Sequence, residues 1–225
     1  MLLISNYLLK RCENKYKMSN NSNKGRLIIF SAPSGAGKSS LIKEIIDLSP
    51  NKIELSISAT TRDARDGELN GKDYFFISDE EFNDLKDRDA FIENANVHGF
   101  QYGTLKSFID EKTEAGINII LDIDVQGFNQ IKKLNVDNLS IFIIPPSFDE
   151  LKNRLVLRGS DSDDVIENRL VNAKKELESA ELFDYIVLND NFNQTVKELS
   201  SIIFNINHEY NKQDNLNILR DLLDK

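Results

Sequence analysis

From Arg26 onward, short apolar runs alternate with segments of helical period: RLIIFS precedes LIKEIIDL, NIILDID precedes FNQIKKL, LSIFIIPP precedes FDELKNRLVL, and YIVLND precedes VKELSSIIFNI. A strand covered on both faces reads as an unbroken apolar run, and a helix must carry the chain back before a parallel neighbour can form. The rhythm therefore predicts an α/β fold, a parallel sheet flanked by helices. Two S-x-x-E patterns, Ser78 with Glu81 and Ser147 with Glu150, mark helix starts.

The rhythm breaks in two places. Between residues 56 and 103 the strands become polar, as in DYFFIS, one short helix is centred on EEFNDLK, and Gly67, Gly71, Gly99 and Gly103 punctuate the chain. This predicts a lobe of residues 56–103 inserted into a core of residues 25–55 and 104–210. The polar run RGSDSDDV sits between two helical patterns and suits a lid spanning 155–170. Beyond it, LNILRDLLDK predicts a C-terminal helix within 211–225, of a pattern that suits a packing helix and a dimer contact equally. Residues 1–24, ending in the polar run MSNNSNKG, lack a core pattern and are expected to be a disordered leader, residues 1–17 reflecting either a true start at Met18 or a mild targeting sequence.

Composition narrows the function classes. A net charge of −9 opposes binding to a nucleic-acid backbone, which needs a basic face. No window is apolar for long enough to cross a bilayer, so no membrane partner is expected. Cys12 is the sole cysteine, which excludes an internal disulfide and fits a cytoplasmic protein, while monomer and homodimer both stay open. His98 and His208 have no ligand partners at metal-site spacing.

The stretch SAPSGAGKSS follows the first strand directly. A glycine-rich turn between a buried strand and a helix aims several backbone N–H groups at one anion, and the helix terminus adds its dipole. In the pattern G-x-x-x-x-G-K-[ST], Gly37, Lys38 and Ser39 match, while Ala32 stands in the first glycine position. Residues Ala32, Pro33, Ser34, Gly35, Ala36, Gly37, Lys38, Ser39 and Ser40 are thus expected to cradle the phosphates of a nucleoside triphosphate. Lys38 would reach the β and γ phosphates, and Ser39 would hold Mg²⁺. Asp122 and Asp124 close the strand NIILDID, where open sheets place ligand groups, and Asp122 would face the ion through water.

The lobe supplies an acceptor site. Arg62 and Arg65 with Tyr74 make a cationic pair and a phenol suited to a phosphate monoester. Glu93 in FIENA and Tyr102 with Thr104 in GFQYGT follow. Arg154 and Arg158 lie four apart on one helix face and Arg169 follows the polar run, a placement that suits an ordinary solvated face and also suits cations for a migrating phosphoryl group.

The blocks SAPSGAGKSS, S-x-TTR-xx-R-x-GE-xx-G-xx-Y, FIE-x-A, YGT, LDID-x-QG, PPS and RL-xx-RG, in that order, resemble the guanylate kinases of the nucleoside monophosphate kinase group. The resemblance runs from about residue 26 to about residue 205. It implies a P-loop kinase fold with a nucleoside-monophosphate lobe and a lid, and transfer from ATP to GMP or dGMP with Mg²⁺. By the same resemblance Arg62, Arg65, Tyr74 and Tyr102 would bind the GMP phosphate, and Ser58, Glu93, Thr104 and Asp124 would surround guanine. Arg154, Arg158 and Arg169 would close over the triphosphate, and Asn189 would lie near the adenine. Two positions depart from the family pattern: Ala64 replaces a proline between the two arginines, and Gln101 replaces an aromatic residue before Tyr102. A guanylate-kinase-like interaction module is the rival from another class, and the intact GAGKSS opposes it.

Overall fold

The computed structural model describes residues 24–97, 99–157, 163–204, 210 and 212–224. Strand β1 (Leu27–Ser31) lies at the centre of a sheet whose five strands are all parallel. One side carries β7 (Asn118–Asp122) and then the edge strand β2 (Ile53–Leu55); the other carries β8 (Leu139–Ile144) and then β9 (Tyr185–Leu188). Alternate residues of β1 feed two cores. Ile28 and Phe30 pack with Leu41, Ile42 and Ile45 of α1 (Lys38–Leu48) and with Leu199 and Ile203 of α7 (Phe192–Phe204). Leu27 and Ile29 face the other layer, with Phe128 and Ile131 of α4 (Val125–Leu134) and with Leu177, the last residue of α6 (Asp163–Leu177). This is the covering of both faces that continuous apolar strands require.

The second core runs on into the inserted segment through Phe82, Phe91, Ile92 and Leu105. There a separate sheet has the order β4, β3, β6, β5, with β3 (Ala59–Thr60), β4 (Phe75–Phe76), β5 (Phe91–Val97) and β6 (Phe100–Leu105). Helix α2 (Asp79–Asp87) opens with a complete capping box between Ser78 and Glu81. Gln130 of α4 holds this sheet to the main body: its amide accepts from Asn94 N–H at 3.1 Å and donates to Asn94 O at 2.8 Å.

Three local expectations are corrected. The edge strand β2 and helix α3 (Lys106–Glu114) were not anticipated. Ser147 caps α5 (Phe148–Leu157) by accepting the Glu150 N–H at 3.0 Å, but the Glu150 carboxylate turns to Arg154 instead of closing the box. In the polar run at 158–165, Asp163, Asp164 and Val165 already belong to α6. Residues 1–23 of the expected leader, 158–162 of the expected lid, and both His98 and His208 lie outside the described residues.

The C-terminal segment covers a sheet edge. Strand β9 is outermost, and an unpaired edge invites other chains. The Tyr210 hydroxyl donates to Ile186 O at 2.8 Å and accepts the Ile186 N–H at 2.6 Å, and Asn215 on α8 (Lys212–Leu223) donates to the same carbonyl. Leu219 and Leu222 bury the inner face of α8, so this helix packs on its own chain. Tyr210→Phe leaves the Ile186 amide unpaired and is expected to cost about 1–3 kcal/mol in urea unfolding. No helix among the described residues is long and apolar enough to cross a membrane.

Candidate functional site

The phosphate cradle is built at the carboxyl end of β1. Gly35 and Gly37 have φ of 95° and 93°, which a side chain rarely adopts. Ala32 has no positive φ, so an alanine satisfies the first glycine position without backbone strain. Space is also tight: a Cβ on Gly37 would lie 2.4 Å from Asn189 Nδ2. Gly37→Ala should therefore distort the loop and raise the KM for ATP by about 10-fold or more, measured by steady-state kinetics at saturating GMP.

Helix α1 opens differently from α2. Gly37 precedes it in a left-handed conformation, with no side-chain cap and no acid in the first turn. Its first amides are left free for an anion, at the positive end of the helix dipole. Lys38 makes an ion pair with Asp122 and donates to Ile123 O at 3.4 Å. The register places Asp122 opposite Phe30, so the acid emerges beside the start of the cradle. Ser39 and Ser40 are exposed on the first turn.

Asn189 follows β9 directly, and its buried side chain donates to Ala36 O at 2.7 Å, bracing the cradle from behind. Arg154 of α5 donates to Asn189 O at 3.1 Å while its Nε bonds Glu150 at 2.8 Å. The structure thus brings Arg154, Asn189 and the cradle together. Arg169 lies half-buried on α6, and Arg158 lies outside the described residues.

In the lobe, Arg62 is the organised cation. Its guanidinium bonds Glu68 at 2.9 Å and lies 5.5 Å from the centre of the Tyr74 ring, which meets the Tyr102 ring edge-on at 5.9 Å. The second Glu68 oxygen accepts the Arg65 N–H at 2.8 Å. That bond fixes the turn where Ala64 stands in place of proline. The hydrogen bond from Arg62, then that from the Arg65 amide, hold the Glu68 carboxyl below its ordinary range. Burial pushes the Tyr74 phenol up. Arg65 keeps an exposed side chain on the same loop.

Glu93 on β5 is only 7% exposed, an unusual setting for a carboxylate. Thr104 faces it across the β5–β6 pairing, and its hydroxyl donates to Glu93 Oε1 at 2.6 Å. Ser58 Oγ lies 3.4 Å from the same Thr104 hydroxyl. Burial pushes the Glu93 carboxyl up, the Thr104 hydrogen bond opposes this, and the nearby Asp124 charge adds to the rise. Asp124 itself caps α4 by accepting the Gly127 N–H at 2.8 Å. Ser58, Glu93, Thr104 and Asp124 therefore form one polar cluster.

Three contributors were missed in the sequence reading. Glu68 appears there only as part of a motif block, yet it holds both arginines' loop. Gln130 sits on a helix face and fixes β5 through backbone contacts. Glu176, in the charged run KKEL of α6, is partly buried, and burial pushes its carboxyl up while the nearby Lys38 charge opposes the rise. No group of three or more His, Cys, Asp or Glu suited to a metal occurs among the described residues. Ser39 and Asp122 are nonetheless oxygen donors, the hard set that suits Mg²⁺ bound through a few protein ligands and water.

The guanylate kinase family model matches residues 24–206. A guanylate kinase of Geobacter sulfurreducens is 49% identical over 179 residues, covering 80% of this chain and 88% of that protein. One of Legionella pneumophila (strain Lens) is 45% identical over 198 residues, covering 86% of this chain and 94% of that one. Among solved structures, the guanylate kinase of Anaplasma phagocytophilum superposes with a TM-score of 0.62 at 30% identity, covering 90% of this chain and 97% of that chain.

Proposed function

The chain belongs to the guanylate kinase family, and we propose that its transfer of the ATP γ-phosphoryl group to GMP runs between the cradle of residues 32–39 and the pocket around Glu93. The single observation that carries this is the buried carboxylate of Glu93, ordered by Thr104 on the lobe that also presents Arg62, Tyr74 and Tyr102. Guanine offers N1–H and N2–H₂ side by side, two donors that one carboxylate accepts together. Adenine presents a lone pair at N1, which a carboxylate repels. Arg62 and Arg65, with the hydroxyls of Tyr74 and Tyr102, bind the GMP phosphate.

A GMP phosphate oxygen attacks the γ phosphorus in line as the bond to the bridging oxygen breaks and ADP departs. No group on the enzyme is phosphorylated. Lys38 stabilises charge on the β and γ oxygens, and Arg154, Arg158 and Arg169 serve the migrating group from the lid side. Mg²⁺ would be held by Ser39, with Asp122 acting through water, and would supply further charge neutralisation. The core comprises residues 25–55 and 104–210, and the lobe 56–103 and lid 155–170 close on it to keep water from the γ phosphorus.

A coupled assay of ADP release with ATP, Mg²⁺ and each of GMP, dGMP, AMP, CMP and UMP tests this. GMP is expected to dominate, with dGMP a weaker substrate. Turnover of AMP equal to that of GMP would overturn the role of Glu93, and no turnover at all would favour a binding module.

A further inference from the structure

Neither Gly127 nor Gln130 has a part in the chemistry above. They lie three apart on α4, on the face that packs against β5. Strand β5 is outermost in the lobe sheet, so its free side presents backbone donors and acceptors. The Gln130 amide takes both from Asn94, accepting the N–H at 3.1 Å and donating to the carbonyl at 2.8 Å, as the peptide of a neighbouring strand would. The Asn94 N–H belongs to the planar peptide that begins at the Glu93 carbonyl carbon, so this clamp fixes the backbone from which the Glu93 side chain springs.

One turn earlier, Gly127 bounds the far end of the same side chain. A Cβ at this position would lie 3.3 Å from Glu93 Oε2 and equally close to Cβ and Cδ1 of Ile123. Glu93 Oε1 is already held by the Thr104 hydroxyl at 2.6 Å, so Oε2 is the oxygen for which Gly127 leaves room. Taking N1–H and N2–H₂ together needs both oxygens near the plane of the base, within the angular tolerance of a hydrogen bond. We propose that Gly127 and Gln130 are specificity-determining positioning residues for guanine: the Gln130 amide sets where the Glu93 backbone stands, and Gly127 leaves the space in which Oε2 lies to take its guanine donor. The carboxylate that reads the base is carried by the lobe and aligned from α4.

The inference rests on reading Glu93 as the acceptor of both guanine donors. Its measure is the ratio of kcat/KM for GMP to that for IMP, a nucleotide that keeps N1–H and lacks the N2 amine. Gln130→Met keeps the reach of the side chain and removes both bonds to Asn94; it should lower the ratio about 10-fold, with the KM for ATP unchanged. Gly127→Ala should lower it by a similar factor while keeping its melting temperature, because alanine favours a helix over glycine. Added to Glu93→Gln, neither substitution should lower the ratio further, since the carboxylate that they align is gone. Equal losses for GMP and IMP, or a further fall of the ratio in the Glu93→Gln background, would overturn the proposal. So would a Gln130→Met chain that no longer melts cooperatively, because the clamp would then be a support of the fold. A wild-type chain that prefers GMP to IMP, with variants that keep that preference, defeats this inference alone; a wild type that treats the two alike defeats the reading of Glu93 with it.

Discussion

Glu93→Gln is expected to lower kcat/KM for GMP by about 30-fold to 1000-fold, because a charged hydrogen bond is lost and a donor is turned against a donor, a combined cost of roughly 2–4 kcal/mol. Thr104 can still donate to the glutamine carbonyl, so the β5–β6 pairing and the melting temperature should survive. AMP should lose nothing, since its N1 lone pair then meets an amide that can donate. The KM for ATP should barely move. Acidification acts in the same direction as the mutation. Burial has raised the Glu93 carboxyl, so the protonated form, which presents a hydroxyl donor to guanine, appears at a higher pH than for an exposed glutamate. The KM for GMP should rise as pH falls through that raised value, and the rise should vanish in Glu93→Gln. Equal losses for GMP and AMP would instead make Glu93 a support of the lobe.

Lys38→Met should lower kcat by about 10²-fold or more, the usual loss when a preorganised charge on a transferring group is removed. Stability should hardly change. The Lys38 and Asp122 side chains keep 18% and 30% of their surface in water, and a pair so solvated contributes about 1 kcal/mol or less. Asp122 can rehydrate when its partner is gone. The expected combination is therefore a folded protein that binds GMP normally and transfers almost no phosphoryl group. Stopped activity together with a large fall in melting temperature would show instead that the ion pair holds β7 to α1.

The buried layers were legible because each central strand is covered on both faces and so reads as an apolar run. LIIFS, NIILD, LSIFII and YIVL gave β1, β7, β8 and β9 in that way. Strand β2 escaped because it has three residues and only Ile53 is fully buried at the sheet's edge. Helix α3 escaped for a related reason: its inward face is Phe108, Ile109 and Thr113, and the threonine, bonded to Ile109 O, disguises the period. In the site, residues that lie close along the chain were readable together, as in the cradle and the Arg62 to Tyr74 segment. Glu176 was not, because seven residues beyond Arg169 in a run of lysines it looks like a solvated helix face. Only the fold shows that it is partly buried within reach of the Lys38 charge. Asn189 shows a similar effect. Resemblance suggests a place near the adenine, and the fold adds a bracing role that the sequence does not show, its buried amide donating to Ala36 O behind the loop.

The central claim, that Glu93 reads the donor edge of guanine while the cradle supplies the phosphoryl group, can be tested in one reaction. ATP and Mg²⁺ are mixed with GMP and IMP at equal concentration, and the two diphosphates formed early in the reaction are separated and counted. Their ratio is the ratio of kcat/KM. IMP keeps N1–H and lacks the N2 amine, so one carboxylate contact in a buried pocket goes unmade. GDP is expected to exceed IDP by about 10²-fold. Equal amounts of GDP and IDP would contradict a carboxylate that takes both guanine donors.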